Sequence, residues 1–282
     1  MLVVPAMSSL TLKQKSNLDG FPKAVELIEI TGAHQLEACD RAIQNMLFQH
    51  AHDSGRMTDA GAKWELKFSE LREPVSKHES TDRVRESLKR LMNVKVTVHY
   101  RAEGSGEERT MTAHLLEFID TSDKGTVGAT VRYGIPEELR VVLIRSNRWG
   151  RVKCEITYAM SSKYAITLYE LICMRANKES CVEAFPLGRF RELMSVPSGT
   201  YERDYDFRRF VIEPALLEVN GLSSLHVEIE LRRKHSRAPV HEVAIAWRRK
   251  EGDEFRAALE ERQRHKAGRK ARLRGMVEKA EV

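Results

Sequence analysis

The amino-acid sequence predicts an α+β protein with two tandem winged helix-turn-helix domains related by internal duplication. The first observation behind this prediction is that one order of elements, three helices and then a two-stranded hairpin, occurs twice along the 282 residues. The second is that matching elements begin at a nearly constant offset, near residues 34, 80, 94 and 110 and again near 162, 203, 225 and 241. The third is charge: the chain has 47 Lys and Arg against 41 Asp and Glu, and the basic excess lies in residues 147–282.

The first copy begins with an alternating, strand-like stretch at residues 25–30. A helix is predicted over residues 34–52, because apolar residues recur there at helical spacing. A short helical segment at 68–73 ends before Pro74, whose ring cannot continue a helix. Ser, Thr and Asp at 80–82 then supply the N-cap of the third helix.

A hairpin follows the third helix of the first copy. Residues 94–100 alternate between apolar and polar side chains, 104–106 read as a turn, and 111–120 read as the returning strand. The tip carries three carboxylates: Glu103, Glu107 and Glu108. Because phosphates would repel them, we expect this hairpin not to follow DNA and to be freer to contact protein.

The second copy repeats the same order of elements. It consists of a helix over 163–177 capped by Ser161 and Ser162, a helix over 187–195, a turn at 197–199, a longer helix over 202–220, and two strands around 225–231 and 241–247. On the longer helix, one side is predicted to be buried: Phe207, Phe210, Val211, Ala215 and Leu217. The helix-hairpin order is that of a DNA-binding winged helix, whose third helix fits the major groove.

The two copies predict four segments. These are an N-terminal extension (1–22), a first winged-helix domain (23–146), a second winged-helix domain (147–249) and a basic C-terminal tail (250–282). The tail has few large apolar residues, so it is predicted to be a solvated helix or a disordered segment that adds nonspecific affinity for DNA.

The second domain is expected to be the main DNA reader, because its hairpin tip is basic. Residues predicted to face DNA are Tyr201, Arg203, Asp206 and Arg209 on the long helix and Arg232, Arg233, Lys234 and Arg237 on the hairpin. Arginine contacts both guanine edges and phosphates. A rival interpretation is that Arg203 and Arg209 only pair with nearby carboxylates on the same helix.

The first domain offers a second, weaker group of cations. Its members are Arg83, Arg85, Lys89 and Arg90. They are predicted either to give auxiliary contacts to the DNA backbone or to be ordinary surface charge.

Two motifs in the second half resemble a known family. Residues 162–165 (Ser-Lys-Tyr-Ala) with 168–171 (Leu-Tyr-Glu-Leu), and residues 207–216 (Phe-Arg-Arg-Phe-Val-Ile-Glu-Pro-Ala-Leu) with 218–220 (Glu-Val-Asn), are similar to the second winged-helix domain of plasmid replication initiators that bind iterons. The order of elements from about 23 to 248 fits both domains of that family.

The resemblance implies a protein that binds direct repeats in a plasmid origin as a monomer, assists duplex opening and recruits host replication proteins such as an initiator, a helicase or a chaperone. It also implies that a dimer represses its own promoter at an inverted repeat, and that the first domain supplies the dimer interface. Arg208, Arg209 and Lys163 occupy positions that contact DNA in the family.

Two other functions fit part of the sequence. His50-Ala51-His52 has the pattern of rolling-circle nickases, with Tyr201 and Tyr205 as candidate nucleophiles. Its histidines close a helix, where residues two apart diverge, so catalysis is not expected. A tandem winged-helix transcriptional regulator without a role in replication fits the charge and periodicity equally well.

Several classes of protein are not indicated by the sequence. There is no phosphate-binding loop, no zinc motif and no apolar run long enough to span a membrane. No metal or cofactor is therefore expected, and a cytoplasmic protein is predicted. The irregular spacing of Cys39, Cys154, Cys173 and Cys181 favours free thiols.

Overall fold

The computed structural model describes residues 10–72, 81–102, 104–123 and 127–276. The chain divides into two compact units between Tyr158 and Ala159. The sequence places this boundary between residues 146 and 147. The first unit continues further because Trp149–Val152 pairs antiparallel with Phe21–Ala24, near the start of the chain.

The first unit contains six helices and seven strands among its described residues. The helices are α1 (Val25–Ile28), α2 (Ala38–Asp53), α3 (Phe68–Arg72), α4 (Thr81–Asn93), α5 (Glu137–Arg145) and α6 (Cys154–Ala159). The strands are β1 (Phe21–Ala24), β2 (Trp64–Lys67), β3 (Lys95–Arg101), β4 (Glu108–His114), β5 (Phe118–Thr121), β6 (Thr130–Gly134) and β7 (Trp149–Val152). They form a β1-β7 pair, a β2-β6-β5 sheet and the β3-β4 hairpin.

Two strand predictions in the first unit are wrong. Residues 25–30 begin with the helix α1, in which Val25, Leu27 and Ile28 are all buried; one helical turn satisfies this pattern, whereas an alternating strand does not. The returning strand is broken at Leu115 and Leu116, which are both buried. Adjacent strand residues point to opposite faces, so the chain leaves the hairpin there and continues as β5 in another sheet.

The predicted helices of the first unit are confirmed as α2, α3 and α4. Their core includes Ile43, Leu47, Leu88 and Leu91, all fully buried. The predicted cap residue Ser80 and the stop at Pro74 lie outside the described residues.

The second unit has the elements of a winged helix and two further helices. The helices are α7 (Lys163–Cys173), α8 (Leu187–Leu193), α9 (Asp204–Phe207), α10 (Glu213–Leu222), α11 (Gly252–Gln263) and α12 (Arg269–Leu273), and the strands are β8 (Val182–Pro186), β9 (Leu225–Arg233) and β10 (Val240–Arg249). A π turn, Arg208–Ile212, joins α9 to α10. The continuous helix from Asp204 to Leu222 is called the recognition helix below.

The predicted elements of the second unit are confirmed, with changes at their ends. Ser162 caps α7, its hydroxyl accepting a hydrogen bond from the Ala165 N–H. The helix ends at Cys173 rather than 177. Strand β8 is absent from the prediction; it pairs with β10 and completes a sheet in the order β8-β10-β9.

The described part of the C-terminal segment is helical with mostly exposed side chains, as the first of the two predicted alternatives has it, and the disordered alternative is wrong. The sequence did not predict that these helices pack against the second unit. Helices α11 and α12 pack on α10. The Arg269 guanidinium is buried and donates to the backbone carbonyls of Ala159, Glu261, Arg262 and Arg264. The Leu273 side chain also packs on Gly221 of α10. Because a few separate contacts rather than a continuous apolar stripe hold the segment, hydrophobic periodicity did not reveal its packing.

Candidate nucleic-acid interface

The recognition helix buries one side and exposes the other. Phe207, Val211 and Ala215 are buried, as the sequence predicts. Phe210 is 44% exposed, so its assignment to the buried side is wrong. The π turn follows the buried Phe207, exposes Arg208, Arg209 and Phe210, and ends with the buried Val211 and Ile212. Single π turns in α-helices often lie at functional sites.

Two arginines at the start of the recognition helix are held by carboxylates. Arg203 Nε lies 2.6 Å from Asp206 Oδ2, and Arg208 Nε lies 3.2 Å from Glu213 Oε1. The hydrogen bond to Asp206 raises the pKa of Arg203. Exposed ion pairs contribute little free energy in water, so a phosphate can replace either carboxylate.

Arg209 lies among aromatic rings. Its guanidinium carbon is 5.3 Å from the ring centre of Phe210 and 5.9 Å from that of Tyr205, and Nη1 donates to the Tyr205 hydroxyl at 3.3 Å. Stacking on an aromatic face orients the planar guanidinium and leaves its other donors able to contact a ligand. The rival interpretation, in which the helix arginines pair with nearby carboxylates, describes Arg203, and the structure gives Arg209 aromatic partners instead.

Tyr201 lies in the turn before the recognition helix. Its ring stacks on Phe210 with the ring centres 5.3 Å apart. Its backbone φ of +52° is in the left-handed region, which non-glycine residues seldom adopt. Arg191 holds this turn by donating to the carbonyls of Thr200 and Tyr201.

The second hairpin is joined to the recognition helix. Arg233 Nη2 lies 2.7 Å from Asp204 Oδ2, while Arg232 pairs with Glu230 and Glu242. Lys234 and Arg237 are exposed at the tip. Within the described ranges, neither has a hydrogen bond or ion pair. The Arg233–Asp204 pair therefore joins the hairpin to the start of the recognition helix, and the cations Lys234 and Arg237, without a partner among the described residues, lie at the hairpin tip.

Lys163 lies apart from the arginines of the recognition helix. The buried Glu218 carboxylate accepts hydrogen bonds from the Ser161 and Ser162 N–H groups, which places the start of α7 beside it. Glu218 is about 13 Å along the helix axis from Arg209, at about 1.5 Å per residue. The role of Lys163 in DNA binding stays a prediction.

Arg85 and Arg90, two of the predicted cations of the first unit, bond to neighbouring elements. Arg90 donates twice to Asp40, which is fully buried, at 2.8 Å, and Arg85 donates to Thr121 and Ser122 and lies over the Phe68 ring. Both side chains tie α4 to its neighbours. Lys89 pairs with Glu86 on the surface, and Arg83 is also exposed.

The carboxylates of the first hairpin are paired with arginines of the same hairpin. Glu107 pairs with Arg109 at 3.0 Å and Glu108 with Arg101 at 2.6 Å. Glu103 lies outside the described residues. These pairs neutralise the negative charge of Glu107 and Glu108 at the first hairpin tip. The second hairpin tip differs, because Lys234 and Arg237 there have no partner among the described residues. That the first hairpin does not follow DNA stays a prediction.

The two histidines of the nickase pattern have separate partners. His50 Nδ1 is 2.9 Å from the Tyr133 hydroxyl and His52 Nε2 is 2.6 Å from the Gln14 carbonyl. Across the described ranges, no group of three or more His, Cys, Asp or Glu side chains is placed to hold a metal ion. No described helix is long and apolar enough to cross a membrane.

A pair of winged-helix units, one of them with exposed arginines on its recognition helix, defines a tandem winged-helix DNA-binding protein. Two family models match the chain: Initiator Replication protein, WH1, over residues 22–173, and Initiator Rep protein, WH2, over 186–247. The chain therefore belongs to the Initiator Replication protein family and is a DNA-binding replication initiator. The resemblance found in the sequence is confirmed.

One solved structure shares this fold, and a second aligns less well. A Pi initiator protein, crystallised in complex with iteron DNA, aligns with a TM-score of 0.59 and 15% identity over 82% of this chain and 97% of that chain. A structure of domains 2 and 3 of RctB aligns with a TM-score of 0.46 and 12% identity, over 75% of this chain and 82% of that chain. No curated protein matches the sequence.

Proposed function

We propose that this chain initiates plasmid replication by binding iterons, the direct repeats of an origin, as a monomer. The observation that carries the proposal is the surface formed by the recognition helix and the second hairpin, which the Arg233–Asp204 ion pair joins. Its exposed cations are Arg203, Arg208, Arg209, Lys234 and Arg237. A helix of this kind fits the major groove, and the flanking hairpin meets the backbone. The complex of the Pi initiator protein with iteron DNA supports the proposal, since that protein has the same fold.

The two units divide the work in this proposal. The second unit reads the sequence, and the first contributes dimerisation and auxiliary backbone contacts through Arg83 and Lys89. Arg85 and Arg90 are assigned to the fold, because each guanidinium already donates to side chains of neighbouring elements. Two exposed cations near the end of the described C-terminal segment, Lys270 and Arg274, add backbone affinity.

Duplex opening in this proposal depends on binding and bending energy. The sequence has no phosphate-binding loop, so ATP-driven unwinding comes from host replication proteins such as an initiator, a helicase or a chaperone. Deforming a DNA site costs several kcal/mol, which additional contacts repay. The protein acts in the cytoplasm, without cofactor or catalysis, and its dimer represses its own promoter at an inverted repeat.

Footprinting on the DNA that flanks the encoding gene tests the proposal. We expect protection of several direct repeats beside an A·T-rich tract, with one monomer on each repeat. Protection of a lone inverted repeat and nothing else would favour the transcriptional regulator.

A further inference from the structure

An aromatic pair is exposed at the DNA-facing start of the recognition helix. Phe210 stacks on Tyr201 with an angle of 26° between the rings, and 44% of Phe210 remains exposed. An exposed aromatic ring lacks the favourable free energy that burial of its apolar surface would provide. Phe210 lies beside the exposed, charged Arg208 and Arg209, and Tyr205 under Arg209 is 66% exposed. Because the Tyr205 hydroxyl accepts a hydrogen bond from Arg209, Phe210 is the exposed ring here that has no polar atom.

The position of this pair is fixed from the core. Arg191 Nη1 donates to the Tyr201 carbonyl at 2.9 Å, and the Arg191 guanidinium lies over the buried Phe207 ring at 5.0 Å. Tyr201 is thereby held in its left-handed backbone conformation, and its ring supports one face of Phe210. Backbone conformations of this kind are concentrated at binding sites.

The chemistry of the major groove indicates what such a ring recognises. The 5-methyl group of thymine is the apolar group that the base pairs present there, and phenylalanine is among the side chains that contact it. Arg209, whose guanidinium is 5.3 Å from the Phe210 ring, carries the donors that guanine accepts. At about 3.4 Å per base step, the two contacted bases lie within about two base pairs of each other.

We infer that Phe210, supported by Tyr201, is a specificity-determining residue that contacts a thymine methyl group next to the base contacted by Arg209. The inference rests on the proposed function, since it requires a duplex in contact with the recognition helix. Stacking on an unpaired base is less suited to the site, because Tyr201 already covers one face of the ring.

Replacing thymine by deoxyuridine tests the inference, since it removes only the methyl group. Each thymine in a protected repeat is replaced in turn, and the affinity of the full chain is measured by mobility shift. One replacement is expected to weaken wild-type binding about four-fold, the equivalent of one methyl group no longer buried. The Phe210→Ala variant should bind natural DNA more weakly than the wild type. Replacing that thymine by deoxyuridine should not weaken its binding further. The Phe210→Leu variant should again bind thymine more tightly than deoxyuridine at that position.

A second exposed phenylalanine provides the matched control. Phe255 on α11 is 40% exposed, and Phe255→Ala should bind as the wild type does and keep the four-fold effect. The inference is overturned if the protein binds its repeats specifically but no methyl effect depends on Phe210, or if Phe210→Ala weakens only single-stranded DNA binding. If no repeat is protected at the start, the proposed function fails before any base is replaced.

Discussion

At the scale of single residues, the arginines of the recognition helix differ in what already holds them. Arg203 and Arg208 pair with carboxylates that DNA must displace, whereas Arg209 rests on the rings of Tyr205 and Phe210. A preoriented cation loses less side-chain freedom on binding than a flexible one. Arg209 is therefore the arginine expected to contribute most to sequence recognition.

Replacing Arg209 should weaken specific binding. Arg209→Ala is expected to cost about 1 to 3 kcal/mol if the side chain contacts a base, with relaxed preference at one position, and to weaken all sequences evenly if it contacts phosphate. Mobility-shift titrations at several salt concentrations distinguish the two. Arg256→Ala is the control, because Arg256 is an exposed arginine in an i,i+3 ion pair on α11. Unchanged affinity and salt dependence for Arg209→Ala would remove it from the interface.

Arg90 should matter for stability rather than for DNA. Removing it leaves the fully buried Asp40 carboxylate without its cation, and loss of one partner of a buried pair costs about 3 to 5 kcal/mol. Because Arg90 is itself partly exposed, we expect the lower end for Arg90→Ala, measured by urea unfolding. Lys89→Ala, which breaks only a surface pair, should change little. A flatter salt dependence of DNA binding in Arg90→Ala, with unchanged stability, would restore Arg90 as a phosphate contact.

Lys250 makes the stability of the protein depend on pH. Its ammonium group donates to the carbonyls of Asn220 and Ser223 at the end of the recognition helix, and burial lowers its pKa from 10.5 to about 8. Between these values the unfolded chain binds more protons than the folded one, so the contribution of Lys250 to the free energy of unfolding rises with pH. Below about pH 8 the lysine is charged in both the folded and the unfolded state, so it does not make the free energy of unfolding depend on pH.

The test compares two proteins at two pH values. Urea unfolding near pH 7.5 and near pH 9.5 should show that the wild type gains stability relative to Lys250→Met as pH rises. Other groups that ionise in this range are common to both proteins and cancel. An equal pH dependence in both proteins would show that Lys250 keeps its ordinary pKa in the fold.

At the scale of elements, the sequence predicted the helices and strands with regular periodicity but not the elements with irregular geometry. Strict alternation identified β9 and β10, with Val243, Ile245 and Trp247 buried. The π turn was hidden, because its residues fit a helical pattern that also placed Phe210 inside. Contacts distant in sequence were hidden as well: β7 is a strand only through its pairing with β1.

The sequence predicted the charged residues that form the candidate site but not the contacts between them. The basic hairpin and the arginines of the long helix were identified from charge, and the structure brings them together through Arg233 and Asp204. Charge alone could not separate arginines used inside the fold from those left exposed. Arg269 illustrates the limit, since it lies in a strongly basic run and yet is buried among carbonyl groups.

The tip of the second hairpin should carry salt-dependent affinity. Neutralising Lys234 and Arg237 together, as Lys234→Gln with Arg237→Gln, should reduce the slope of log affinity against log salt by about 0.9 for each phosphate that the variant no longer neutralises. Arg232 and Arg233 are left in place, because they hold the hairpin to carboxylates. The matched control is the first hairpin with Arg101→Gln and Arg109→Gln. Retention of the parental slope in the second-hairpin variant, or a reduced slope in the control, would show that the wrong hairpin was assigned to DNA.

At the scale of the whole molecule, the distribution of exposed cations and the partners of the two histidines both favour a protein that acts by binding DNA. The second unit has exposed cations on its reading surface, while Arg85 and Arg90 of the first unit have structural partners. His50 and His52 bond to a hydroxyl and a carbonyl rather than to a shared site. Under the proposed function, any change that the protein makes in DNA comes from the free energy of its contacts.

Origin opening should therefore require neither ATP nor strand cleavage. On a negatively supercoiled origin plasmid, the protein is expected to make thymines in the A·T-rich tract reactive to permanganate, equally with and without ATP, because supercoiling and bending supply the energy. The same plasmid incubated with Mg²⁺ or Mn²⁺ should stay supercoiled. Phe255→Ala should open the origin as the wild type does, and Arg209→Ala should do so only at higher protein concentration. Opening that depends on ATP, or a DNA product linked to Tyr201 or Tyr205, would show that the protein carries a catalytic site after all.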